Sequence, residues 1–153
     1  MGTPVQTPAT SPLDQPMPWA GQPFFEETCT LFRCVRDHDF DTLANLCDDD
    51  FGIVDLDPNG ESVDIRTRTE WEAWFHQLFQ QLGAMQATTD TVIQEYQALQ
   101  TPAMGYSVVR FCQLLTVGGQ THRFNCIVTI IWKFVEDRWK ESRWHVSLLG
   151  REA

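Results

Sequence analysis

The chain has no run of 18 apolar residues, so no segment reads as a membrane-crossing helix. Its N-terminus has no basic stretch leading into an apolar one, so no secretory signal is expected. It is poor in cations: 11 Lys and Arg stand against 21 Asp and Glu, for a formal net charge of −10. Binding to phosphate backbones or anionic bilayers needs a basic face, so neither nucleic acid nor membrane is expected as a partner. Five cysteines, at 29, 34, 47, 112 and 126, form an odd set without a C-x-x-C pair. That argues against a disulfide framework and against a zinc site, and leaves buried thiols in a reducing, cytoplasmic setting.

What is present is enough for a core. Of 153 residues 42% are hydrophobic, with six Trp and ten Phe, which fits one packed domain. Six of the eight prolines fall in the first 23 residues. Residues 1–22 are therefore expected to be a flexible leader, 23–150 a single domain and 151–153 a tail. Phe24 to Arg36 has a helical stripe, and Asp39 caps a short helix ending near Cys47. Phe51 to Leu56 alternates as a strand, Asp57-Pro-Asn-Gly60 is a turn, and Ser62 to Ile65 is a return strand. Thr69 to Leu82 is a long helix with Thr69 and Glu72 as a capping box and Gly83 as its stop. Strands follow at about 89–100, 104–117, 120–135 and 139–149. Gly118-Gly119 makes a two-residue hairpin in which paired residues sum to 237, so Cys112 faces Asn125, one residue off Cys126. Cys112 and Cys126 are then core thiols, not a redox pair. Helices first, then a long bent sheet, is the order of an α+β fold with a pocket, not of a nucleotide-binding α/β enzyme.

That order, with Asp39-Phe-Asp-Thr-Leu-Ala-Asn-Leu-Cys-Asp48, the acidic Asp55-Leu-Asp-Pro58 and the ending Trp139…His145-x-Ser147, resembles the nuclear transport factor 2-like superfamily, also called SnoaL-like or ketosteroid-isomerase-like. The resemblance spans about residues 24–149. It implies a cone in which a strongly curved mixed or antiparallel sheet wraps the third helix, with one open end. Within the superfamily, Arg110-Phe-Cys-Gln-Leu114, the pair Trp132 and Trp139, and Trp144-His-Val-Ser147 are similar to the association domain of calcium/calmodulin-dependent kinase II. The pocket arginines of that branch fall at Ile130 and Val146, so its anion pocket is not implied. By the same resemblance Trp144 and Val146 point inward, and Arg143 and His145 lie on the outer sheet face at a self-association interface. In the isomerase comparison the catalytic Tyr falls near Leu31 and the protonated Asp within Ile127–Ile131. Only the general base has a counterpart, at Asp55 or Asp57.

The expected protein is a homo-oligomer with an apolar pocket for a small organic ligand and no cofactor. A second possibility is a cofactor-free isomerase, cyclase or dehydratase, and a third is a hub-like assembly module. The expected pocket is Phe32, Trp71, Trp74, Phe75, Trp132 and Trp144. The expected catalytic set is Asp55 and Asp57, whose carboxylates share one side of an extended strand, with Tyr106, Arg110 and His145 as polar partners. Asp55-Leu-Asp-Pro-Asn-Gly60 also matches the first half of a calcium loop. Its twelfth position is the cation Arg66 and a strand precedes it, so no metal site is expected. Ten acidic residues and no Lys or Arg lie from Asp37 to Ile65, which reads as a hydrated face.

Overall fold

A computed structural model of the protein describes residues 11–57 and 59–152. Residues 1–10 of the expected leader, Pro58 of the turn and Ala153 of the tail lie outside the described residues. Three α-helices, α1 (Phe25–Asp37), α2 (Phe40–Leu46) and α3 (Arg68–Ala84), accompany six strands. These are β1 (Cys47–Leu56), β2 (Ser62–Ile65), β3 (Thr88–Gln100), β4 (Met104–Val117), β5 (Gln120–Val135) and β6 (Arg138–Glu152). They form one mixed sheet in the order β2-β1-β6-β5-β4-β3, with β1 parallel to β6 and the other pairs antiparallel. The α+β architecture expected from the element order is present. No helix among the described residues is long and apolar enough to cross a membrane.

Alternation decides which side of the sheet meets the helices. On β4, Ser107, Val109, Phe111 and Leu115 are buried, while Tyr106 and Arg110 face outward. The β4–β5 register is the expected one: Val117 faces Gln120 and Cys112 faces Asn125. Gly118 (φ 59°) and Gly119 (φ 80°) turn the chain with positive φ, the geometry that suits a two-residue hairpin. Cys126 lies on the inner face and Cys112 on the opposite one, and all five cysteines are buried and unpaired by disulfides.

Two local expectations are corrected. The cap of α3 is Thr67, not Thr69: the Thr67 hydroxyl accepts the Glu70 N–H, and Glu70 accepts the Arg66 N–H. The spacing T-x-x-E occurs twice here, and Glu72 instead pairs with Arg68 at 3.1 Å. The Arg68 guanidinium also donates to the Ala44 and Cys47 carbonyls, which ties α3 to the α2–β1 junction. Gly83 does not stop the helix; the chain turns at Gln86 (φ 53°), where the Ala87 N–H reaches the Leu82 carbonyl. Residues 11–22 lie against the domain. Leu13 is 1% exposed, its carbonyl accepts from Arg33, and Ser11 donates to Asp90.

Phe24 is buried between two tryptophans of the sheet. Its ring stacks on Trp132 at 5.6 Å and meets Trp139 edge-on at 4.9 Å. The space for that ring exists because the residue paired with Trp132 is Gly105. A methyl group at Gly105 would overlap the Phe24 ring and crowd the Leu99 carbonyl. Gly105→Ala is expected to destabilise the fold by about 3 kcal/mol, the upper range for overpacking a core. A thermal melt checks it, and an unchanged midpoint would mean that the Phe24 plug yields freely.

Candidate functional site

Between the helices and the sheet lies a cavity of about 140 Å³, close to the size of an engineered apolar cavity that admits benzene. All three helices and strands β1 and β3 to β6 contribute to it, so the sheet curls around the space. Its walls are mainly rings and aliphatic chains: Phe32 from α1, Trp71, Trp74 and Phe75 from α3, and Phe111 and Trp144 from the sheet. Five of the six expected pocket residues are among them. Trp132 is the exception. It is wholly enclosed, stacked on Phe24, and its Nε1–H donates to Ser107 Oγ at 3.0 Å, so no face of it remains for a ligand.

Three carboxyl groups border this apolar space, and two of them, Asp55 and Glu141, are not taken up by the turn. Asp55 lies on β1 in phase with the buried Phe51 and Ile53, so alternation turns it inward. It sits deep in the protein, and the surface it keeps accessible lines the cavity. Burial pushes its pKa up to about 6, opposed by the Leu56 N–H that donates to Oδ1 and by the nearby Trp144 indole. Asp57 borders the cavity too, but its Oδ1 accepts the Asn59 and Glu61 N–H groups and serves the turn. That closes the acidic loop on itself, and Arg66 pairs with Asp64 at its end.

The second carboxyl is Glu141, 3% exposed, which sequence reasoning missed. Burial pushes its pKa up to about 8; the Cys47 thiol donating to Oε2 at 3.6 Å opposes this, and the charge of Asp55 adds to it. Both carboxyls are thus pushed toward the protonated form, Glu141 further than Asp55. Strict alternation would place Glu141 on the outer face with Arg143 and His145. A β-bulge prevents that: Trp132 pairs with Glu141 and Ile131 with Arg143, which leaves Ser142 as an extra residue. The bulge is anchored where Ser142 Oγ donates to the Asp50 carbonyl at 3.2 Å.

Two buried donors at the cavity wall have no hydrogen-bond partner among the described residues: Trp144 Nε1 and Thr89 Oγ1. The Trp144 indole N–H lies toward Asp55 and lowers its pKa by hydrogen bonding, although the contact falls short of strict hydrogen-bond geometry. An unmade buried hydrogen bond costs about 1–3 kcal/mol, so such groups call for a partner.

The other expected catalytic residues are placed elsewhere. Tyr106 is exposed on the outer face, Arg110 pairs there with Glu95 at 3.3 Å, and His145 is exposed beside them. Alternation sends these three outward while Ser107, Val109, Trp144 and Val146 go in. Arg143 is also on the outer face, donating to the Asp50 carbonyl at 2.8 Å. Among the described residues no group of His, Cys, Asp and Glu is arranged to hold a metal.

Comparison with known proteins adds to this geometry. No curated protein matches the chain. Among solved structures, a provisionally named scytalone dehydratase from Novosphingobium aromaticivorans is similar at 10% identity with a TM-score of 0.69, over 83% of this chain and 82% of that one. A hexachlorocyclohexane dehydrochlorinase is similar at 12% identity and a TM-score of 0.66, over 82% of each chain. A provisionally named calcium/calmodulin-dependent kinase II association domain from Exiguobacterium sibiricum is similar at 10% identity and a TM-score of 0.63, over 89% of this chain and 97% of that one. At such identities these likenesses show the shared fold. A SnoaL-like domain model matches residues 29–150, most of the chain, and the protein belongs to the SnoaL-like domain family.

Proposed function

We propose that the protein is a cofactor-independent acid–base enzyme acting on a small, mainly apolar organic compound held in the cavity. The observation that carries this is a pair of carboxyls, Asp55 and Glu141, that border one apolar cavity, both pushed up by burial and Glu141 further than Asp55. Environments that push two titratable groups apart assign the base and the acid. Asp55 takes a proton from carbon, and Glu141 donates one to the group that gathers negative charge. Isomerisation and elimination of water share these steps. The structural neighbour named as a dehydratase is compatible with the second.

The test is wash-in of deuterium from D2O into a panel of small carbon acids, followed by NMR. Catalysed exchange that vanishes in Asp55→Asn supports the assignment. Exchange that persists in that variant, or no exchange into any compound that binds, overturns it.

A separate observation favours self-association. The outer face of the sheet carries a partly exposed apolar stripe, Val108, Ile127 and Ile131, beside Arg143 and His145. We propose this stripe as the contact between copies, with Arg143 and His145 at its margin. Arg143→Glu is expected to lower the solution mass measured by light scattering, with the melting temperature as a control for folding. An unchanged mass would remove Arg143 from the interface, and a monomeric wild type would remove the interface itself. A large ring in place of a dimer would favour the assembly-module alternative.

A further inference from the structure

The apolar cavity continues into a second hollow, of about 190 Å³, that lies between α3 and the β1–β2 hairpin. Asp57, Trp74 and Leu78 line both spaces, so the two meet along one seam. The outer hollow reaches the surface at Gln77 and Gln81, which are exposed and one helical turn apart on α3. A ligand can therefore run from an apolar interior to a polar mouth. Among the described residues no Lys, Arg or His lines either space. The ionisable groups along this path are acidic, with Asp55 inside and Asp57 at the seam, in a chain of net charge −10. One oxygen of Asp57 is left over: the Asn59 and Glu61 N–H groups both donate to Oδ1, and Oδ2 takes no hydrogen bond or ion pair among the described residues. The cations of the hairpin and of β6 beside it are engaged elsewhere, Arg66 with Asp64, and Arg151 with the Asn59 carbonyl and over the Phe124 ring. Trp74, half-buried, lies at the same seam, and indole is the ring that attracts cations best.

We propose that the ligand is an amphipathic organic cation, an amine on an apolar body, with its ammonium group at Asp57 and the body in the inner cavity. This rests on the function proposed above only in that the cavity is a ligand site, and it adds the ligand's class and the residue that selects it. An ammonium at the seam supplies donors to the unpaired Asp57 oxygen, and such a charge-assisted hydrogen bond is stronger than a neutral one. The group stays partly hydrated at the mouth, beside the Gln77 and Gln81 amides, which limits its desolvation. The hydrocarbon body leaves water for the walls of Trp71, Phe75 and Leu78. A single ring with a short chain suits the two spaces, since the inner one is close to the size that admits benzene. A carboxylate or phosphate of the same shape would meet Asp57 and Asp55 with no cation on either wall to neutralise it. Selection then comes from repulsion of the anion as well as attraction of the cation.

The probes share one phenylbutyl body: 4-phenylbutylamine as the cation, 4-phenylbutanol as the neutral form and 4-phenylbutyrate as the anion. Binding is measured by calorimetry at pH 7 and one fixed salt concentration. The amine is expected to bind at least about tenfold more tightly than the alcohol, the lower end for a hydrogen bond to a charged group. The butyrate should bind more weakly than either. Asp57→Asn should bring the amine to within about twofold of the alcohol and leave the alcohol's own affinity as it was. Asparagine keeps the Oδ1 acceptor that the turn uses, so the variant tests the charge and not the turn. Glu136→Gln, the same loss of charge at the exposed β5–β6 turn, should leave the amine preference intact. Equal binding of amine and alcohol by the wild type, tighter binding of the butyrate, or binding of none of the three overturns the proposal, and these comparisons need no variant. An amine preference that survives Asp57→Asn, or that falls as far in Glu136→Gln, also overturns it, since the charge would then act through Asp55 or through the field of the whole protein. Failure of the acid–base assignment looks different: the amine binds through Asp57, yet no carbon acid exchanges deuterium faster than in buffer.

Discussion

Asp55→Asn is expected to slow deuterium exchange into a bound carbon acid by about 10²–10⁴-fold, the usual contribution of a positioned general base. The wild-type rate should follow a bell against pH. It rises as Asp55 loses its proton near pH 6 and falls as Glu141 loses its own near pH 8. Because Asp55 raises the pKa of Glu141, the two limbs belong to the pair and not to either residue alone. Glu141→Gln should keep the acidic limb and flatten the alkaline one, since an amide cannot deprotonate there. Asp55→Asn should not cost stability at pH 8. The wild type then carries a charged carboxylate in an apolar cavity, and the amide relieves that desolvation. A variant that melts well below the wild type at pH 8 would mean that the carboxylate is structural. An alkaline limb that survives in Glu141→Gln would remove Glu141 from the chemistry.

Much of this site was legible in the sequence, and the unread part has a specific cause. Period-two alternation puts Asp55 in phase with Phe51 and Ile53, which are buried, and puts Trp144 and Val146 together on one side of β6, while the inward direction of that side was implied only by the family resemblance. The glycine pair at 118–119 determines the β4–β5 register to the residue. Glu141 was hidden because one extra residue, Ser142, inverts the alternation between Glu141 and Arg143. Nothing in Trp139-Lys-Glu-Ser-Arg-Trp144 announces a bulge, because its anchor is the Asp50 carbonyl on another strand. Trp132 was misassigned for a similar reason: only the three-dimensional pairing with Gly105 brings Phe24 over its ring. Tyr106, Arg110 and His145 were chosen for their chemistry, and alternation sends all three outward. Partner choice across distant strands is a tertiary property, and hydrophobic periodicity along one strand carries no signal for it.

The protein is expected to grow less stable as pH rises from about 4.5 to 8, and Glu141 is the main cause. Its folded pKa is raised from 4.5 to about 8. Between those values the folded state holds a proton that the unfolded chain has released, so unfolding is favoured by each step upward in pH. The stabilising contribution is complete below the unfolded pKa and gone once the pH has passed the folded one. Asp55 acts in the same direction over a lower window, from 3.8 to about 6. Each pH unit in a window removes about 1.4 kcal/mol per group at most, so Glu141 accounts for a few kcal/mol. For a chain of this size that is on the order of 10 °C in melting temperature. Relief of self-repulsion among the excess acidic groups on acidification has the same sign, so the wild-type curve alone cannot assign the effect. Glu141→Gln separates the two. It leaves the surface charge almost untouched, yet it should melt above the wild type at pH 8 and lose most of the slope between about pH 6 and 8. The slope below pH 6, where Asp55 titrates, should remain. A variant with the wild-type slope would place the proton uptake elsewhere and return Glu141 to an ordinary buried ion.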